Sequence, residues 1–276
     1  AEETKSSSYT IDELMACLMS AETKNHMVTT VGSNTPLSMV AYLLAKKTHA
    51  PNIVLIPFTG LNDINAYPIT ISLAEVLAFQ QSTSHWAIED LWQWIYQKSL
   101  TSIEFGSPAQ IDQKDRINLS IIGQEQRIKV RLPGQAGLAN VLNLHKHCYL
   151  YMTRQTDQRM VKKVDWISGA RKLLTNEERK SEGLPEGNYK LFTNYGVFRL
   201  DHSSRKFVLE QIHPGVSLDD IREHMGFPLI VSESLKTTPV PTKEQLYIIR
   251  NEIDPLGFRK LEFVSGKERS DFIKEM

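Results

Sequence analysis

The polar residues that follow one short apolar run are the first candidates for chemistry in this sequence. Residues 53–57 carry no charge, and Thr59, Gly60 and Asn62 follow them closely. An apolar run of this length, bounded by turn residues, is typical of a strand buried on both faces of a parallel sheet. Ligands of open α/β sheets bind at the carboxyl ends of such strands. We therefore predict Thr59, Gly60 and Asn62 as catalytic residues.

A glycine turn precedes this strand and offers a second candidate site. Gly32, Ser33 and Asn34 stand between a strand-like stretch at residues 28–31 and a helical pattern at residues 37–48. Backbone N–H groups at a strand-to-helix turn can hold an anion or an oxyanion. The second and third glycines of the dinucleotide fingerprint are absent, so a tight corner without a ligand is the alternative interpretation. We predict Gly32, Ser33 and Asn34 as substrate-binding residues.

A second glycine turn lies at residues 131–137. Its arginine, Arg131, could pair with a carboxylate or a phosphate, and Gly134 and Gly137 permit close approach of the backbone to a ligand. Gln135 adds a polar contact. The alternative is a plain loop with a surface arginine. We predict Arg131, Gly134, Gln135 and Gly137 as residues that bind the substrate.

Other catalytic chemistry finds little support in the sequence. His145 and His147 flank a lysine without a nearby carboxylate cluster, so we expect no metal site. A Gly-x-Ser-x-Gly elbow and a phosphate-binding P-loop are both absent. Cys17 and Cys148 stand among apolar neighbours without metal-ligand spacing, and we expect both to be buried thiols in a reducing compartment.

The elements that must position these residues follow an α/β pattern. Strand, glycine turn, helix and buried strand form a βαβ unit over residues 28–57, after a first helix with Thr10 as N-cap. Later strands are predicted at residues 102–105, 118–122, 127–130 and 147–152, and a small antiparallel patch at 189–192, 197–200 and 207–211. Residues 169–188 are predicted to form a polar surface loop with at most a short helix. The fold class is an open, mainly parallel sheet flanked by helices.

Composition limits the possible functions. The 276 residues contain 41% hydrophobic and 23% charged side chains, which is ordinary for a globular protein. The formal net charge is +0, so no overall field favours nucleic acid or an acidic membrane. We expect a cytoplasmic protein with a single domain over residues 1–276, in which residues 1–8 form a disordered tail.

Eight phrases of the sequence, taken in order, resemble one family, the β subunit of class I CoA-transferases of the glutaconate CoA-transferase type. The phrases cover residues 31–36, 44–52, 110–112, 129–134, 161–165, 193–198, 213–216 and 254–257. The resemblance implies a CoA-transferase-like fold and a homologous α subunit as partner, with the active site near the subunit interface. It implies no tightly bound cofactor, because coenzyme A enters as part of the acyl-CoA substrate.

The resemblance also defines what this chain lacks. In the transferases a β-subunit glutamate attacks the acyl-CoA thioester, and it follows the second buried strand in a Glu-Ser-Gly-like phrase. The matching residues here are Phe58-Thr59-Gly60, and phenylalanine has no lone pair with which to attack. A second departure is the phrase Asp-Arg-Tyr-Gly-Asn, which reads Asp-Gln-Lys-Asp-Arg at residues 112–116 and loses its glycine.

Three interpretations remain open from the sequence. The favoured one is an acyl-CoA hydrolase, C–C cleaving enzyme or decarboxylase of the superfamily, as in the steroid-ring-opening hydrolase and 3-methylglutaconyl-CoA decarboxylase relatives that lack the β glutamate. The second is a true CoA-transferase whose glutamate is supplied by the α subunit. The third is a catalytically silent subunit that stabilises or regulates its partner.

Overall fold

The computed structural model describes residues 8–32, 35–57, 59–65, 67–70, 76–124, 126–134, 136–171, 174–184, 187–201 and 204–275. They form two compact units. Unit 1 comprises Ala1–Ala87 and Pro239–Met276, and unit 2 comprises Ile88–Thr238. The single domain expected over residues 1–276 stays a prediction.

Helices occur in both units. In chain order they are α1 (Ile11–Glu22), α2 (Pro36–Lys47), α3 (Val76–Gln80), α4 (Ile88–Asp90), α5 (Leu138–Leu144), α6 (Asn176–Ser181), α7 (Leu218–Glu223), α8 (Lys243–Ile248) and α9 (Gly266–Glu275). π-helical turns at Leu91–Tyr96 and Ile249–Ile253 continue α4 and α8, and a 3₁₀ segment spans Phe258–Glu262. No helix among the described residues is both long enough and apolar enough to cross a bilayer.

Strands also occur in both units. In chain order they are β1 (Val28–Val31), β2 (Val54–Pro57), β3 (Leu61–Asn62), β4 (Ser84–His85), β5 (Ile103–Gly106), β6 (Gln110–Asp112), β7 (Arg116–Asn118), β8 (Ile121–Gln124), β9 (Arg127–Arg131), β10 (His147–Met152), β11 (Met160–Val161), β12 (Gly169–Ala170), β13 (Lys190–Thr193), β14 (Gly196–Asp201), β15 (Lys206–Ile212) and β16 (Val231–Thr237).

Unit 1 is built on the predicted βαβ arrangement. β1 and β2 pair in parallel, with Val31 opposite Pro57, and α2 connects them and packs against α1. Helix α1 begins where its capping pattern predicts, because the Thr10 N–H donates to Glu13 Oε2 at 2.9 Å. The parallel pairing brings the carboxyl ends of both strands to one edge, where Gly32 and the residues after β2 leave the sheet.

Charged side chains attach the C-terminal segment of unit 1 to α1. Arg259 donates to Asp12 Oδ2 at 2.7 Å and to Asp254 Oδ2 at 2.8 Å, and Arg250 donates to Glu13 Oε1 at 2.7 Å. Burial alone would raise the pKa of Glu13, but hydrogen bonds from Arg250 and Thr10 outweigh it and lower the pKa to about 2. Glu13 is therefore fully ionised at neutral pH.

Unit 2 contains six strands in the order β16-β15-β14-β13-β10-β5. The pairs β5/β10, β10/β13 and β15/β16 are parallel, whereas β14 pairs antiparallel with β13 and β15. The predicted antiparallel patch is thus present, and it extends this mainly parallel sheet. A separate four-stranded sheet has the order β11-β6-β7-β12, and β8 and β9 form an antiparallel ribbon.

The strand predicted at residues 118–122 is wrong in its extent. β7 ends at Asn118 and β8 begins at Ile121. The Asn118 side chain causes the break, because its Oδ1 accepts the N–H groups of Ser120 at 3.0 Å and Ile121 at 3.2 Å. An asparagine that bonds the backbone two and three residues ahead forms a turn in place of a sheet ladder.

The surface loop predicted at residues 169–188 is also wrong in part. It contains α6, the short helix that the prediction allows, but it also contains β12, and its arginines Arg171 and Arg179 are buried. Arg171 Nε lies 3.0 Å from Asp115 Oδ2, and Arg179 donates to the carbonyl of Asn143 at 3.0 Å. Polar composition suggested a solvated loop, but partners distant in sequence compensate these charges in the interior.

Candidate functional site

The Thr59 turn (residues 59–62) closes tightly after β2. Gly60 has φ of 80°, its N–H donates to the Pro57 carbonyl at 3.0 Å, and its own carbonyl accepts the Trp86 N–H at 2.8 Å. A Cβ at Gly60 would overlap the Trp86 carbonyl oxygen. β3 then pairs with β4 and carries the chain away from the turn. Only glycine fits at position 60, and the two backbone hydrogen bonds make the turn rigid.

Two buried polar atoms of the Thr59 turn lack a hydrogen-bond partner within the described part of the chain. They are Thr59 Oγ1 and Asn62 Oδ1. The other end of the Asn62 amide donates to Ser84 Oγ at 3.1 Å. Exchanging the amide nitrogen and oxygen would make Ser84 the donor and still leave one end unpartnered. Buried polar groups are nearly always hydrogen-bonded, so two unpartnered atoms in one turn make this turn a candidate site.

The first glycine turn is less open to an anion than its sequence suggests. The Thr35 hydroxyl donates to the Gly32 carbonyl at 3.1 Å, which closes the corner before α2. The Leu37 N–H at the start of α2 donates to Glu262 Oε1 at 2.7 Å. A carboxylate of unit 1 itself therefore occupies one of the helix N-terminal amides that would hold a ligand anion. Ser33 and Asn34 lie outside the described residues, as does Phe58.

The Arg131 turn (residues 131–137) leaves the end of the β8–β9 ribbon. Arg131 stands opposite Ile121 and is exposed. The Leu132 N–H donates to the Ser120 carbonyl at 2.9 Å, so the backbone is fixed while the guanidinium extends to solvent. An exposed guanidinium is suited to pairing with a phosphate or carboxylate that arrives from outside.

The two described glycines of this turn have different surroundings. Gly134 has φ of 111° and open space where a Cβ would stand. Gly137 has φ of 71° at the start of α5, and a Cβ there would overlap the indole ring of Trp92. The group that approaches the Gly137 backbone is thus Trp92, which itself packs edge-on against Tyr96 with ring centroids 5.0 Å apart. Gln135 lies outside the described residues.

The sequence argument missed a buried polar cluster beneath Trp92. His145 Nε2 lies 3.1 Å from Glu104 Oε2, and the Tyr96 hydroxyl donates to the same oxygen at 3.4 Å. The signal was the charge of Glu104 between two apolar residues of a predicted strand. Over the described ranges, no three His, Cys, Asp or Glu side chains are grouped so that they could hold a metal ion.

The loop that lost its glycine keeps a closed turn. Asp115 adopts φ of 58°, in the left-handed region that aspartate tolerates better than most residues. The Asp112 carboxylate accepts the N–H groups of Lys114 at 3.0 Å and Arg116 at 3.2 Å. Burial raises the pKa of the Asp115 carboxyl to about 6, against the opposing effect of the neighbouring Arg171 charge. The substitution therefore adds a buried carboxyl without opening the turn.

Neither thiol is a candidate nucleophile. Cys17 and Cys148 are free and buried, as the sequence predicts. Burial raises the pKa of each thiol to about 12. The thiolate is the reactive form of cysteine, and it is scarce at neutral pH with such a pKa.

Comparison with known proteins identifies relatives over most of the chain. The family model described as Coenzyme A transferase matches residues 13–224. The B subunit of 3-oxoadipate CoA-transferase from Pseudomonas knackmussii is 26% identical over 245 residues, which is 88% of this chain and 93% of that protein. The similarity thus includes both units.

Two further relatives carry out other reactions. The cholesterol ring-cleaving hydrolase IpdB subunit of Mycobacterium bovis is 30% identical over 161 residues, 56% of this chain and 62% of that protein. The crystal structure of the decarboxylase AibA/AibB matches with a TM-score of 0.80 and 25% identity, covering 92% of this chain and 98% of that chain. Relatives on this fold therefore include a transferase, a hydrolase and a decarboxylase.

Proposed function

Because this chain belongs to the coenzyme A transferase family, we propose that it is the β-type subunit of a heteromeric enzyme that acts on acyl-CoA thioesters. Its reaction is hydrolysis, C–C bond cleavage or decarboxylation of the acyl group. Coenzyme A enters as part of the substrate, and no tightly bound cofactor is needed.

Phe58 carries the proposal about the reaction. This residue directly follows β2, at the position where the resemblance expects the nucleophilic glutamate. A carboxylate can form the acyl anhydride and then the glutamyl-CoA thioester, whereas a phenyl ring can do neither. Transfer of coenzyme A to a free carboxylate therefore cannot proceed through a side chain at this position.

In the absence of a glutamate nucleophile, the proposed catalytic groups are the side chains of the Thr59 turn. The Thr59 hydroxyl can donate a hydrogen bond to the thioester carbonyl as negative charge develops there, or it can hold an attacking water. Asn62 offers the unpartnered end of its amide to the same region of the substrate. Gly60 fixes both side chains because its backbone is locked against Trp86. Of these groups the Thr59 hydroxyl is the donor, and a donor held in place before the substrate arrives is what electrostatic stabilisation of a transition state requires.

The polar residues of the two glycine turns are the proposed contacts to the rest of the substrate. Gly32, Ser33 and Asn34 follow β1 in the sequence, and β1 ends at the same sheet edge as β2. Arg131, with its exposed guanidinium, is the proposed contact to a phosphate or carboxylate, together with Gly134, Gln135 and Gly137. These assignments stay predictions that mutagenesis decides.

An α-type subunit is the proposed partner. The relatives are named as members of pairs, such as AibA/AibB and the B subunit of 3-oxoadipate CoA-transferase. Strand β9 supports this proposal, because Ile128 and Val130 are 41% and 48% exposed on a ribbon that other described strands of unit 2 do not cover. Exposed apolar side chains of this kind mark protein interfaces.

The deciding experiment uses the complex with its α subunit, acyl-CoA and acetate. Products are followed by mass. We expect free coenzyme A, a cleaved acyl-CoA or a decarboxylated acyl-CoA, and no acetyl-CoA. Formation of acetyl-CoA would show that the complex is a transferase. A complex that neither binds nor converts any acyl-CoA would show that this chain is catalytically silent.

The Phe58→Glu variant sharpens this test. If Phe58 faces the thioester, the new carboxylate should allow some acetyl-CoA to form. The Phe58→Gln variant is the matched control, because glutamine has the size of glutamate without a nucleophilic carboxylate. Equal products from both variants would remove position 58 from the reacting centre.

A true CoA-transferase is the second candidate. This candidate is favoured by the extent of the sequence matches. The match to the transferase relative covers 88% of this chain, whereas the match to the hydrolase relative covers 56%. In this case the α subunit supplies the glutamate. A Glu→Gln substitution at the matching strand end of the α subunit would then abolish acetyl-CoA formation.

A further inference from the structure

A positively charged cleft lies in unit 2 among residues that have no part in the proposed acyl-CoA chemistry. Its volume is about 640 Å³, and its charged lining residues are Lys129, Arg154, Arg159 and Asp165. Small-molecule sites usually measure about 300 to 1,000 Å³. The lining thus combines three cations with one carboxylate in a space large enough for an organic ligand.

A β-bulge places Lys129 at this cleft. In the β8–β9 ribbon Val130 pairs with Ile122 and Ile128 pairs with Gly123, so the register passes over Lys129. Gly123 has φ of 105°, and a Cβ there would lie 2.7 Å from the Arg127 carbonyl oxygen and 3.0 Å from Lys129 N. The bulge therefore requires a glycine at this position. Bulges redirect a side chain and are frequent beside functional sites.

The charge of Lys129 is not compensated within the described part of the protein. It forms no ion pair within 4.0 Å there, although Asp165 lines the same cleft. The Asp165 carboxylate is engaged elsewhere, because its Oδ2 accepts the Gly123 N–H at 2.9 Å and Gln110 Nε2 at 3.2 Å. Asp165 thus fixes the bulge and leaves the lysine ammonium available to a ligand.

Arg159 contributes a second fixed charge. Its guanidinium donates to the carbonyls of Ala109 at 3.4 Å, Arg154 at 3.3 Å and Pro108 at 3.1 Å. These carbonyl oxygens hold the guanidinium in place at the cleft. A rigid cation costs little entropy to order when an anion binds.

We propose that this cleft binds a small molecule that carries two adjacent phosphate groups, with Lys129 and Arg159 as the principal cations. Two neighbouring phosphates match several cations in one cleft, and arginine and lysine both bind phosphate through charge-assisted hydrogen bonds. The proposal concerns binding and does not depend on acyl-CoA turnover. A free nucleoside diphosphate and the diphosphate segment of coenzyme A would present the same chemistry to the cleft.

The test is calorimetric titration of the full chain with inorganic pyrophosphate, ADP and coenzyme A. We expect pyrophosphate and ADP to bind, and Lys129→Gln to weaken both by about tenfold, which is the loss of one charge-assisted contact. Lys206→Gln, an exposed lysine of β15 outside the cleft, is the matched control and should leave the affinity unchanged. Thermal unfolding of each variant establishes that it is folded.

Competition identifies the source of the phosphates. If coenzyme A displaces ADP from the wild-type chain and binds more weakly to Lys129→Gln, the ligand is the diphosphate segment of coenzyme A. Coenzyme A that does not displace ADP would identify a free nucleotide. The proposal is overturned if neither pyrophosphate nor ADP binds at millimolar concentration, or if Lys129→Gln and Arg159→Gln both bind them as tightly as wild type does.

Discussion

The Thr59 turn of unit 1 and the Arg131 turn of unit 2 both contain glycines at positive φ, but they are held in different ways. Gly60 is fixed by backbone hydrogen bonds and lies against the Trp86 carbonyl. Gly137 is instead covered by the Trp92 side chain, and Gly134 has open space around it. Backbone hydrogen bonds therefore hold both turns, but main chain packs against the glycine of the Thr59 turn, whereas a side chain packs against Gly137 of the Arg131 turn.

This difference separates two tasks that a substrate site needs. A turn locked by backbone contacts can keep donors such as the Thr59 hydroxyl in place for a transition state. A turn whose glycine packs against a side chain, with its charged residue exposed, can keep that charge accessible to a ligand, as for Arg131. The role of a glycine in a candidate motif can therefore be judged only once the group that packs against it in space is known.

Gly60→Ala should have the largest effect. The new Cβ would combine backbone strain with overlap of a carbonyl that cannot rotate away, at a cost of about 3 to 5 kcal/mol in the free energy of unfolding. Denaturant unfolding measures it. Gly183→Ala is the control, because Gly183 has φ of 70° with nothing within 4 Å of a Cβ. Equal losses in both variants would contradict the backbone lock.

The pH dependence of the unfolding free energy should report on the elements that pack behind the Arg131 turn. Helix α5 follows this turn and packs against β12, and Arg171, next to β12, pairs with Asp115. The folded pKa of Asp115, about 6, lies above its ordinary value of 3.8, so folding favours the protonated form. The stabilisation that comes from protonated Asp115 is complete below pH 3.8 and is lost as the pH rises through 6.

The size of this loss is on the order of 3 kcal/mol, since each pKa unit corresponds to about 1.4 kcal/mol. It is measured as the change in unfolding free energy of wild type between pH 3 and 7, minus the same change in Asp115→Asn. Glu13 loses its own contribution as the pH falls from 4.5 to about 2, but it does so in both proteins, so the subtraction removes it. Identical pH profiles of the two proteins would exclude Asp115 as the source.

Gly137→Ala should cost about 2 kcal/mol, because the overlapping group is an indole that can shift at the price of strain. A Trp92→Leu substitution removes the ring and should recover most of the loss in the double variant. Unfolding of the two single variants and the double variant gives the coupling energy. Additive losses would show that Trp92 does not anchor the Arg131 turn.

Thr59→Val should lower turnover of acyl-CoA about tenfold or more with little change in stability, because valine keeps the shape and removes the hydroxyl. Thr59→Ser, which keeps the hydroxyl, should retain most of the activity. Steady-state kinetics of the complex with its α subunit measure both variants. Unchanged turnover of Thr59→Val would remove this hydroxyl from the reaction.

Arg131→Ala should have the smallest effect on the fold, within about 0.5 kcal/mol, because the side chain is exposed. Its effect should appear as weaker binding of acyl-CoA. Arg127→Ala, at the other end of β9 and likewise exposed, is the control. Equal affinity of both variants would exclude Arg131 as a substrate contact.

Local patterns determined the elements of this protein. The βαβ arrangement, the Thr10 cap and the strand at residues 147–152 follow from apolar periodicity and capping residues, which act within a few positions of the chain. The sequence also determined the absence of a glutamate at position 58, because residue type alone decides whether a nucleophile exists.

Only the tertiary structure decided which groups meet. The Leu37 amide bonds Glu262, and Arg171 pairs with Asp115, across separations that local patterns do not encode. The sequence singled out Gly60 and Gly137 alike, yet the structure places a backbone carbonyl against one and an indole against the other. Partners distant in the chain decide such contacts, because close packing, unlike periodicity, depends on the whole fold.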